Sequence, residues 1–145
     1  MSLTTDNESD TTLEDIINDI LSQDNVMLSV KSSGAICEVN TEMGLPLRVS
    51  DQYATIGDES NPWHIHVNLF ETKEARFVIE NKTNGRSSYS IRFYDSKGNL
   101  VLRANFVKMY DSSNKIIQER HLAYDRIFAK YGKKQTLVLG ATKEV

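Results

Sequence analysis

No stretch constrains this chain more than Ala75 to Phe106, ARFVIENKTNGRSSYSIRFYDSKGNLVLRANF. Its apolar residues recur at every second position, and two turn signals interrupt it, Asn84-Gly85 and DSKGN. A period of two puts alternate side chains on opposite faces, and Asn-Gly favours a tight hairpin. Three consecutive strands in an antiparallel meander are predicted, with one face apolar. In the second strand Tyr89, Ile91 and Phe93 share that face, and Ser88, Ser90, Arg92 and Tyr94 share the other.

The period differs on either side. In TTLEDIINDILSQD the residues Leu13, Ile16, Ile17, Ile20 and Leu21 have helical spacing, and Thr11 with Glu14 has the spacing of a capping box. Near the C-terminus Ile116, Ile117, His121, Tyr124, Ile127, Phe128 and Tyr131 trace one side of a helix over 114–131, which Gly132 stops. VMLSVK and AICEV flank the turn signal SSG and read as a hairpin; MGLPLRV and YATIG are weaker strands, and TLVL could add a short one. The expected fold is α+β: a large, mostly antiparallel sheet with an N-terminal helix and a long C-terminal helix packed on it. Residues 1–10 are expected to be disordered, 11–132 to form a single domain and 133–145 to be a tail.

Composition narrows the function. A net charge of −3 and a pI near 5.6 argue against nucleic acid, whose phosphates need a basic face. The acidic N-terminus lacks the basic and apolar parts of a signal peptide, no apolar run approaches a membrane span, and Cys37 has no partner for a disulfide. These features predict a cytoplasmic protein without a membrane partner. No glycine-rich phosphate loop, CxxC pair or GxSxG elbow is present.

Two of the three histidines fall in NPWHIHVNLFE. On a strand, His64 and His66 share a face with Asn68, opposite Trp63, Ile65, Val67 and Leu69, and their Cα atoms lie about 6.6–7 Å apart. That spacing suits adjacent ligands of one metal. It does not suit two axial ligands on opposite sides of one haem. His64, His66 and Glu71 also resemble the divalent-metal motif of the cupin barrels. Arg92 and Arg103 stand on the polar face of the meander, where arginine can grip a ligand carboxylate or pair across strands.

From His64 to Tyr131, and most closely in SYSIRFYDSKGNLVLRANF and the helix ERHLAYDRIFAKYG, the chain resembles the haem-utilisation proteins of the HutX/ChuX type, single-domain relatives of the tandem-repeat HemS/ChuS proteins. DNVMLSVKSSGAICEV resembles their early hairpin. The resemblance implies haem as ligand, a role in iron metabolism as an intracellular carrier or store, and a homodimer whose two sheets mimic one tandem-repeat chain. It places a haem-binding histidine in the early hairpin, where this chain has Lys31, and it brings His66 near the polar position that opens the later strand. The candidate cofactor residues are therefore His66, His64, Arg92 and Arg103. A cupin-like metal site of His66, His64 and Glu71 and a dimerisation domain that has lost its ligand are the alternatives.

Overall fold

The computed structural model describes residues 11–141. The expected disorder of 1–10 lies outside the described residues. The elements are α1 (Leu13–Leu21), β1 (Val26–Lys31), β2 (Ile36–Asn40), β3 (Leu47–Ser50), β4 (Tyr53–Ile56), β5 (Ile65–Asn68), β6 (Thr72–Asn81), β7 (Ser87–Asp95), β8 (Leu100–Phe106), α2 (Gln118–Lys130) and β9 (Thr136–Val138). The fold is α+β, as the periods predict.

The strands form two sheets. Six run antiparallel in the order β2-β1-β8-β7-β6-β9, and three in the order β3-β4-β5. The predicted meander is β6-β7-β8, and TLVL supplies the edge strand β9, paired with β6. The large antiparallel sheet is present as expected, and the His-x-His strand belongs to a second, smaller sheet.

Both sheets close on one core. Val26, Leu28, Phe77, Ile91, Phe93, Leu102, Ala104 and Phe106 of the large sheet, the stripe of α1, and Ala54, Ile56, Val67 and Leu69 of the small sheet are buried in one cluster. α2 lies across β6, β7 and β8, where Tyr124 meets Phe77, Tyr89 and Phe106 edge to face. The Tyr124 hydroxyl donates to the Ser90 carbonyl at 2.9 Å, and burial pushes its phenol well above the usual range.

Two helix ends differ from expectation. The capping box of α1 is Thr12 with Asp15, one residue beyond Thr11 and Glu14: Asp15 N donates to Thr12 Oγ1 and Thr12 N to Asp15 Oδ2. Thr12 has the extended backbone of a cap, φ −107° and ψ 165°, so the helix starts at Leu13. α2 begins at Gln118, not at 114, because the chain first makes a tight reversal. Asn114 takes a positive φ of 66°, Asp111 Oδ1 accepts from Ser113 N and Lys115 N, and Ile116 bridges back to Tyr110. The apolar spacing of Ile116 and Ile117 matches a helix, but both precede its first turn.

Candidate functional site

Each sheet has a polar face, and the predicted site residues are split between them. On the large sheet the face away from the helices carries Met27, Ser29 and Lys31 of β1, Arg103 and Asn105 of β8, Ser90 and Arg92 of β7, and Arg76, Val78 and Glu80 of β6. The register aligns three of these cations: Arg103 is the cross-strand partner of Arg92, and Arg92 of Arg76. Like charges directly opposite one another cost stability unless something compensates them.

The compensation is local. Arg92 Nη2 lies 2.8 Å and Arg103 Nη2 3.7 Å from the same oxygen, Glu80 Oε1. The hydrogen bond from Arg92, followed by its charge, holds Glu80 below the usual carboxylate range. Arg92 Nε donates to Ser90 Oγ and Arg103 Nε to Asn105 Oδ1, which fixes both guanidinium planes. Arg76 pairs with Glu74 and lies over the Tyr94 ring, 4.0 Å from its centre. Beside this row is an open groove of about 370 Å³, with Met27, Lys31, Ile36, Arg92, Leu100 and Arg103 in its walls. It combines apolar wall, thioether and cations, and one carboxylate already bridges two of its arginines.

The small sheet presents the histidines. His66 is the cross-strand partner of Thr55, and Thr55 of Arg48, so Arg48, Thr55 and His66 form a row on its outer face. His64 immediately precedes β5, with its ring centre 4.9 Å from that of His66; Tyr53 meets His66 edge to face at 6.1 Å. Thr55 Oγ1 and His66 Nδ1 are 2.8 Å apart. The close turn depends on Gly57, at φ 91°: a Cβ there would stand 2.9 Å from the Trp63 carbonyl and 3.4 Å from His64 Cβ.

Glu71 lies beyond β5, its N–H donating to Asn68 Oδ1. Among the described residues no three His, Cys, Asp or Glu side chains are grouped to hold a metal ion, so the His66, His64 and Glu71 triad is not assembled. Nor does the fold have the closed barrel of a cupin. His66 and Arg92, expected on one ligand-bearing face, stand on different sheets within the chain. His121 sits on α2, where it faces Asp125 at 3.4 Å and the Tyr89 ring.

Sequence reading named Arg92 and Arg103, with Arg76 preceding them, but missed Met27, Glu80, Thr55 and Arg48. Parity alone, counted from Phe77, would have put Arg76 and Glu80 on the face of Arg92. The contribution of β1 to the same groove had no comparable signal, because β1 and β8 are distant in sequence.

A family model matches residues 14–132. No curated protein matches the chain in sequence. Solved structures with the same fold include "Structure of the Heme Binding Protein ChuX", at 16% identity, covering 81% of this chain and 71% of that one with a TM-score of 0.68. A second structure of ChuX has 17% identity, covers 83% and 73%, and has a TM-score of 0.68. A protein from Erwinia carotovora has 18% identity, covers 81% and 70%, and has a TM-score of 0.67. No helix among the described residues is long and apolar enough to cross a membrane.

Proposed function

Because the chain belongs to the ChuX-like haem-utilisation fold family, we propose that it binds haem, as a non-enzymatic carrier or store, in the groove on the large sheet. The observation that carries this reading is the Arg92–Arg103 pair bridged by one carboxylate beside an apolar wall. Haem is a flat apolar ring with two carboxylates. A site for it needs cations at one edge, apolar surface beneath the ring and a donor for iron.

The groove fits these needs. Arg92 and Arg103 would receive a propionate, in competition with Glu80. Ile36 and Leu100 offer apolar surface, and Met27 is the one donor in its wall of a type that commonly ligates haem iron. Lys31, in the early hairpin where the family resemblance puts a histidine, adds a third cation. When bound, haem would supply the redox and ligand chemistry of iron; the residues of this chain hold and orient it. The family resemblance also suggests a homodimer, and light scattering that found only monomer at micromolar concentration would remove that part.

Hemin titration followed by absorption tests the reading. Wild type should give a saturable Soret band. The double variant Arg92→Ala, Arg103→Ala should bind at least tenfold more weakly, and Glu80→Gln, which removes the internal competitor, should bind more tightly. Met27→Ala should shift the Soret maximum. No saturable band in wild type would end the haem reading. A Soret shift in His66→Ala but none in Met27→Ala would move the iron to the small sheet.

A further inference from the structure

We infer that the outer face of the small sheet is a binding site for a divalent transition-metal ion, held by His64 and His66 and oriented by Thr55. It stands apart from the groove and does not depend on haem.

The separation of the rings is the first support. With metal–nitrogen bonds of about 2.0–2.1 Å, two imidazoles in neighbouring positions of one ion have ring centres roughly 4.5–5 Å apart. The His64 and His66 rings are 4.9 Å apart. This proximity is enforced by the backbone: parity puts both rings on one face, and Gly57 lets the β4 end approach the backbone at His64.

The second support is Thr55. A ligating histidine usually makes a hydrogen bond through its other ring nitrogen, which fixes ring orientation and tautomer. Thr55 Oγ1 stands 2.8 Å from His66 Nδ1, and Thr55 is only 7% exposed, so the hydroxyl is a fixed partner. In the metal-bound form Nδ1–H donates to Oγ1, and the Nε2 lone pair faces the ion.

The third is the surroundings. Glu71 is not grouped with the pair and Asn68 Oδ1 is taken by the N–H groups of Phe70 and Glu71, so water completes the coordination. Two imidazoles and water suit zinc, nickel or copper better than magnesium or calcium, which prefer carboxylates. A site with only two protein ligands exchanges its ion readily.

Zinc is the probe. Chelator-stripped protein, titrated calorimetrically with Zn²⁺, should take up one ion per chain saturably. Imidazole nitrogen NMR should show His64 and His66 responding, with the Nδ1–H tautomer of His66, while His121 stays unchanged. The double variant His64→Ala, His66→Ala should lose this binding, and Thr55→Val should weaken it about tenfold, in the range typical for the partner of a metal-bound histidine. His64 and His66 are exposed and valine nearly matches the shape of the buried Thr55, and unchanged circular dichroism would confirm the fold of both variants. Zinc uptake that survives in the double variant, or perturbs His121 in place of the pair, overturns the proposal, as does the absence of saturable uptake. Wild-type affinity in Thr55→Val removes the orienting role.

Discussion

The two sheets share one core but treat their polar faces differently. On the large sheet the charged side chains satisfy one another: Arg76 with Glu74, Arg92 and Arg103 with Glu80. On the small sheet the Arg48 charge acts on the Asp58 carboxyl, Thr55 Oγ1 stands 2.8 Å from His66 Nδ1, and the His64 ring meets the His66 ring. The difference teaches that charge alone does not mark a ligand surface. On the large sheet a ligand carboxylate must compete with Glu80, so binding there depends on what the groove adds in apolar contact. On the small sheet an incoming metal ion would meet two neighbouring imidazoles, with His66 Nδ1 already held by Thr55.

The largest expected effect tests what the sheets have in common. Phe93 is fully buried in the core, and Phe93→Ala should cost about 3–5 kcal/mol in urea unfolding. Trp63 is the only tryptophan and lies beside the small sheet. Its fluorescence and the far-ultraviolet circular dichroism should therefore shift together. Separate transitions would mean that the small sheet unfolds on its own and that the shared core is not cooperative.

Backbone strain sharpens the contrast. Gly57 and Gly85 both have positive φ, but a Cβ at Gly57 meets the Trp63 carbonyl whereas one at Gly85 meets nothing within 4 Å. Gly57→Ala should cost about 2–3 kcal/mol and Gly85→Ala nearer 1 kcal/mol by thermal or chemical unfolding. Equal costs would show that the β4–β5 turn relaxes easily and does not fix the histidines.

A smaller effect is expected from the helix cap on the shared core. Thr12→Ala removes half of the capping box and should lower stability by about 1 kcal/mol, without changing hemin or zinc binding. A change in either affinity would mean that α1 sets the geometry of a polar face as well as the core.

The smallest effect concerns the arginine pair. Glu80 has a depressed folded pKa, so its stabilising contribution is present above its ordinary value of 4.5 and is lost as pH falls through the lower folded value. The Glu80 side chain is 46% exposed, so the stability change should be only a few tenths of a kcal/mol. NMR titration should place the Glu80 midpoint below 4.5 and return it upward in Arg92→Ala. An unchanged midpoint would break the claim that the large sheet neutralises its own arginines.

What the sequence determined by itself was local. The periodic residues of α1 are all buried, the two turn signals delimit β6, β7 and β8, and parity correctly separated His64 and His66 from Val67 and Leu69. Parity even demands a feature that no turn signal announces. With DSKGN as a symmetric turn, Arg92 would oppose Leu102 and put a charge against an apolar side chain. The bulge between Phe93 and Tyr94 shifts the register by one and sets Arg92 opposite Arg103. The tertiary structure alone decided the rest. Periodicity says which face of a strand is apolar but not which sheet the strand joins, since that depends on hydrogen bonds between residues far apart in sequence. For this reason Arg92 and His66, alike in the sequence as polar-face residues of strands with only β6 between them, lie on different sheets, and Met27, nearly eighty residues from Arg103, stands in the wall of the same groove.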